Sequence, residues 1–265
     1  MPEGVPPAVS KSFAALIPGA VILIGAFLIE FVTTKLGVEN IHDLLADVLS
    51  GPMSILGGTI GGAIVVAMLN SLFWFAGIHG GNMVGSVMSP ILLINTDANR
   101  LAFQAGKELP NIITNPFFDM FVYIGGGGAT LALVTIIMFA SRSQRNKSVG
   151  GVAFVPGIFN INEPAMFGLP IVFNTTFLIP FILAPMVNVL ITYFSMSSGL
   201  VPRTNGVAVP WTMPPIISGF LATNSIRGSI LQIALIVIDI LIYYPFFRVV
   251  DKNYLKEEQE EPTEN

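Results

Sequence analysis

Five long and sparsely charged apolar runs divide this chain: residues 13–35, 56–77, 117–141, 171–197 and 228–249. A helix needs about 20 apolar residues to cross a bilayer, and each run qualifies. Only 11% of the residues are charged, against about 25% in a soluble domain. The chain therefore reads as an all-α integral membrane protein with about five transmembrane helices. Residues 41–50, "IHDLLADVLS", set acids and leucines at helical spacing and predict an amphipathic helix along the interface.

Three further segments, 78–116, 150–170 and 201–226, are apolar but rich in Gly, Pro and Asn. Irregular backbone survives at membrane depth only when it is buried in protein or lines a wet cavity. These segments read as re-entrant hairpins around a polar site, the device that solute transporters use. The organisation expected is a transmembrane region over 1–250 and an acidic tail over 251–265. The tail holds six acids and two bases, so it accounts for the whole formal charge of −4. It reads as a solvated terminus.

Arg142, Arg145 and Lys147 close the third run, and Arg248, Lys252 and Lys256 close the fifth. Positive residues mark the cytoplasmic side, so both ends are expected there, with the C-terminus cytoplasmic. Counting backwards places Met1 outside, which leads us to expect further helices upstream. With no cysteine and only two histidines, neither a disulfide nor a metal site is expected. No basic stripe points to nucleic acid.

The sharpest candidate residue is Glu163, in "FNINEPAMFGLP". An ionisable residue at membrane depth is costly and marks function by default. Asn160 and Asn162 flank it with amides. Pro164 is expected to hold the preceding residue out of a helix and present the carboxylate from a turn. The structural alternative is a glutamate that caps the helix after Pro164. His79, in "FWFAGIHGGNM", follows Trp74 and precedes Gly80 and Asn82. The paired glycines permit close backbone approach to a ligand. Trp74 and Trp211, the only tryptophans, each adjoin a broken segment. They read either as interfacial anchors or as platforms for a sugar ring. Asp119 reads as an acid near the interface, and Gly125–Gly128 as a close helix-packing stretch. Asp239 reads as a buried acid that pairs with a helix outside this chain.

The stretches "GIFNINEPAMFGLPIVFN", "FWFAGIHGGN" and "VPWTMPPIISGFLAT" resemble the membrane-embedded IIC component of the phosphotransferase system, in its lactose/cellobiose/diacetylchitobiose family. The resemblance covers about residues 10–250 and matches the C-terminal portion of longer members. It implies a homodimeric permease of the bacterial plasma membrane that moves a disaccharide inward. A phosphorylated cytoplasmic IIB protein then modifies the sugar, and the permease itself bears no phosphoryl group and no bound cofactor. By this match Glu163 and His79 contact sugar hydroxyls, with Glu163 as the base. Trp74 and Trp211 pack on the sugar, while Asn82 and Asn162 add hydrogen bonds. The alternative is a proton-coupled carrier or channel with Glu163 as its relay. An intramembrane hydrolase would need a nucleophile–base pair or a metal set, and neither is visible.

Overall fold

The computed structural model describes residues 7–35, 57–169 and 171–260, and among these there is no strand. The chain forms two compact units, residues 1–51 and 52–265. The first unit contributes one described helix, α1 (Pro7–Lys35). The expected interfacial helix at 41–50 lies outside the described residues.

The second unit carries the rest. Its order is α2 (Ile60–Phe75), α3 (Gly80–Gln104), a π-helical turn (Phe117–Val122), α4 (Leu131–Ala140), α5 (Gln144–Ile158), α6 (Glu163–Gly168), α7 (Thr175–Ser197), α8 (Ile217–Thr223) and α9 (Ile226–Glu260). Three described helices, Pro18–Lys35 within α1, α7 and α9, are long and apolar enough to cross a membrane. α2 and α4 are apolar but shorter. Each of the five apolar runs thus yields a helix. Polar side chains set several starts: Thr59, Ser143 and Asn174 accept from the backbone N–H of Gly62, Asn146 and Thr176, satisfying amides that have no partner inside a helix.

The third run is not one helix. Gly125, Gly126 and Gly128 have positive φ and turn the chain between the π-helical turn and α4. A mid-helix glycine costs about 1 kcal/mol relative to alanine, so four in succession favour the break. The π-helical turn belongs to the buried core of the unit. Phe117, Phe121 and Val122 are fully buried there, with α7 packed alongside.

Segment 78–116 departs from expectation in the other direction, because most of it is the continuous α3. Its asparagines bind a loop instead of breaking a helix. Asn95 donates to the Ile113 carbonyl at 2.9 Å, and Asn99 donates to those of Asn111 and Thr204 at 2.8 Å each. Spaced four apart, the two share one face and stitch it to the returning chain. Segments 150–170 and 201–226 do contain irregular backbone. The first forms a hairpin of α5 and α6, and the second runs without regular structure to α8.

The tail also differs from a free solvated terminus, since α9 continues to Glu260. Asp251 is buried, and its carboxylate accepts from Arg142 N, Ser143 N, Ser143 Oγ and Asn146 Nδ2. Glu258 accepts from the N–H groups of Gln144 and Arg145. Two carboxylates thus cap the amino end of α5, where free amides and the helix dipole attract negative charge. Burial pulls the Asp251 pKa up, but the four donors together hold it below its ordinary value.

Candidate functional site

A cavity of about 510 Å³ opens among α2, α3, the π-helical turn, the glycine turn and the α5–α6 hairpin. Its volume falls within the ~300–1,000 Å³ of small-molecule sites. All of its lining residues belong to the second unit.

The hairpin tip supplies the acid. α5 ends at Ile158, and two residues later Asn160, with a φ of 62°, reverses the chain. Asparagine tolerates this left-handed region better than most residues. The break therefore falls at Asn160, whereas Glu163 opens α6 and Pro164 follows inside its first turn. Glu163 does not cap that helix with its side chain. Its carboxylate has no hydrogen-bond or ionic partner among the described residues, and it lines the cavity half-buried.

The two asparagines hold the tip in place. Asn160 Oδ1 accepts from Gly125 N at 2.6 Å, while its Nδ2 donates to the Trp211 carbonyl. Asn162 Nδ2 donates to the Gly127 carbonyl at 3.0 Å. Gly126 makes this approach possible. Its φ is 98°, and an added Cβ would lie 2.8 Å from the Asn162 side chain. Asn160 lines the cavity, but both its polar atoms serve the hairpin.

His79 stands at the amino end of α3, where its Nδ1 accepts from Asn82 N at 3.1 Å. That bond places the proton of the neutral ring on Nε2, which is left as a donor. The Trp74 ring lies against the imidazole, centroids 4.3 Å apart. Trp74 is a buried wall, 5% exposed, whereas Trp211 is 56% exposed. Both line the cavity, as does Asn82. Gly80 does not. It is buried against α2, where an added Cβ would meet the Asn70 carbonyl at 2.1 Å. Gly81 faces the cavity in its place.

The sequence reading missed Asp119, Asn115, Tyr123 and Asn70, which also line the cavity. Asn115 Nδ2 donates to Asp119 Oδ2 at 2.7 Å. Asp119 is therefore an acid of the cavity wall. Asp239 is another correction: it is 1% exposed and accepts from Asn188 Nδ2 at 2.9 Å, so its partner lies on α7 of this chain. Among the described residues no group of His, Cys, Asp and Glu forms a metal cluster. The site's polar groups are carboxylates, amides, one imidazole and aromatic faces. That set suits a neutral polyhydroxyl ligand, with apolar faces for its C–H surfaces.

The model of the family "Phosphotransferase system, EIIC" matches residues 1–185. The lichenan permease IIC component of Bacillus subtilis (strain 168) is 51% identical over 98% of this chain and 58% of its own length. The cellobiose-specific EIIC component of Geobacillus stearothermophilus is 51% identical over 99% of this chain and 59% of its own. Among solved structures, the transporter ChbC, the IIC component of the N,N'-diacetylchitobiose-specific phosphotransferase system, superposes with a TM-score of 0.80. It shares 47% identity over 99% of this chain and 61% of that one. The chain spans about three fifths of the length of these relatives.

Proposed function

Because the chain belongs to the phosphotransferase system EIIC family, we propose that it is the sugar-binding part of a permease that delivers a disaccharide for phosphorylation. The sugar is of the cellobiose, diacetylchitobiose or lactose type. The observation that carries this reading is Glu163: a carboxylate without a partner among the described residues, in a cavity it shares with His79, Trp74 and Trp211. Glu163 and the Nε2–H of His79 bind sugar hydroxyls. Trp74 and Trp211 pack on the ring, and Asn82 and Asn162 add hydrogen bonds. Asn160 acts at one remove, by holding the hairpin tip.

The chemistry is shared with a phosphorylated IIB protein. Glu163 takes the proton of the accepting hydroxyl, and that oxygen attacks the phosphorus carried by the IIB cysteine. The S–P bond breaks and the thiolate leaves. A base must reach its proton directly or through one water, which a carboxylate lining the cavity can do. This chain bears no phosphoryl group and needs no cofactor of its own. It is multi-pass in the bacterial plasma membrane, in contact with lipid, with its C-terminus and the Arg142–Lys147 segment cytoplasmic. The complete protein is a homodimer. The proton-relay alternative gains no support from the relatives, which are phosphotransferase components.

The test is sugar phosphate formation in proteoliposomes supplied with phospho-IIB. Glu163→Gln keeps the shape and removes the basicity. It is expected to abolish product while circular dichroism stays unchanged. Undiminished product would sink the assignment. Uptake of unmodified sugar that collapses with a protonophore would favour the relay.

A further inference from the structure

Three buried polar side chains meet between α7 and α9, away from the cavity. Asp239 is 1% exposed, and Asn188 and Thr192 are fully buried. None of the three lines the cavity. Asn188 Nδ2 donates to Asp239 Oδ2 at 2.9 Å and to the Val122 carbonyl, at the end of the π-helical turn, at 3.3 Å. Both amide hydrogens serve these two acceptors, so Asn188 Oδ1 remains a pure acceptor. Asp239 Oδ1, Asn188 Oδ1 and Thr192 Oγ1 are all buried with no hydrogen-bond partner among the described residues.

Thr192 is the informative member. Thr96, Thr135 and Thr223 each donate to the carbonyl four residues back, at 2.6, 2.7 and 2.8 Å. Thr192 sits inside α7, four residues after Asn188, yet its hydroxyl makes no such bond. It stands one helical turn from Asn188 on the same face. Asp239 has no Lys, Arg or His partner among the described residues. Tyr243, one turn further along α9, gives its hydroxyl hydrogen to the Gly128 carbonyl at 2.6 Å. A buried charge is ordinarily paired or bound to a metal ion, and buried polar atoms are nearly always hydrogen-bonded. Here three oxygens have one free hydrogen among them, that of Thr192. An excess of acceptors beside a lone carboxylate calls for positive charge.

We propose that Asp239, Asn188 and Thr192 hold a small alkali cation between α7 and α9 through these three oxygens. Hard cations take carboxylate, amide and hydroxyl oxygens, and one carboxylate balances one monovalent charge. Cation sites in membrane transporters also draw on carbonyls at the ends of interrupted helices. The Val122 carbonyl, at such an end, is bonded to the same amide. The cation's role is structural: it ties α7, α9 and the π-helical turn into one block. The proposal does not depend on which ligand the cavity takes.

The test uses sodium as the probe. Thermal melts of the purified chain in detergent are recorded as sodium chloride replaces choline chloride at constant ionic strength. Sodium is expected to raise the melting temperature saturably, by about 5 °C well above its dissociation constant. Asp239→Asn keeps the shape, removes the charge and is expected to abolish the response. Thr192→Val removes only the hydroxyl. It is expected to raise the half-saturating sodium concentration at least about tenfold, the scale on which lost metal-site partners act. Glu163→Gln is expected to keep the full response, because that carboxylate lines the cavity instead of this site. A wild-type chain indifferent to sodium would overturn the proposal in favour of a proton on Asp239. A response that survives Asp239→Asn, or that disappears in Glu163→Gln, would overturn it as well. Should Asp239→Asn fail to fold, Thr192→Val decides alone, and an unshifted sodium dependence there would overturn the proposal.

Discussion

At the scale of single residues, His79 joins folding to binding. Its Nδ1 caps α3 and its Nε2–H is free for a ligand. Asparagine is itself a good cap. His79→Asn is therefore expected to keep the wild-type melting temperature and lose sugar affinity. His79→Ala should lose both, with about 1 kcal/mol of stability. Thermal melts beside binding isotherms separate the two effects, and equal affinity in His79→Asn and wild type would deny the imidazole its role. Asp239 is structural by the same kind of reasoning. Asn188→Leu removes its donor and leaves a buried carboxyl oxygen unpaired, at about 1–3 kcal/mol. The melt should fall with sugar affinity per folded molecule unchanged. Glu163 and His79 were legible in the sequence because a polar residue in a proline- or glycine-broken apolar stretch has few structural explanations. Asp119 was not. Two residues into an apolar run, it looks like an interfacial acid until the glycine turn and the π-helical geometry place it on the cavity wall. Gly80 misled because close approach of backbone to another helix and to a ligand leave the same mark in a sequence.

At the scale of elements, the α5–α6 hairpin and the glycine turn form one device. The turn's backbone receives both tip asparagines, at Gly125 N and Gly127 O, and Gly127 seats against Trp74. Gly127→Ala is expected to push the indole aside and cost about 1–3 kcal/mol, the range for overpacking. Sugar affinity should fall with it, because Trp74 and His79 share the cavity wall. A neutral effect in both melt and isotherm would contradict this packing. The hairpin's other end is held by Asp251 and Glu258. A carboxylate whose folded pKa is depressed contributes stability that is complete above its ordinary value of about 3.9 and is lost as pH falls through the folded value. Wild type should therefore lose stability below about pH 4 more steeply than Asp251→Asn, in paired melts across pH 3–7. The five apolar runs were legible from hydropathy. The clamp was not, because a charged tail shows no sign in sequence of which helix end it meets. α3 was hidden for a related reason, since Asn95 and Asn99 signal irregular backbone until their loop partners are known.

At the scale of the whole second unit, the irregular segments converge. The hairpin tip, the glycine turn and the extended stretch before α8 meet at Asn160, which bonds to Gly125 and Trp211. Interrupted helices therefore build one cavity instead of three separate defects, and their unsatisfied backbone finds partners inside the protein, as apolar surroundings require. The central claim is that this cavity is a sugar site organised around Glu163. Equilibrium binding of labelled cellobiose, diacetylchitobiose and lactose to the purified, helical chain in detergent tests it most directly, with Glu163→Gln alongside. The account predicts saturable binding of at least one of these sugars, weakened at least about tenfold by the substitution. Binding of none of them by the folded chain, or equal binding by Glu163→Gln, would contradict it.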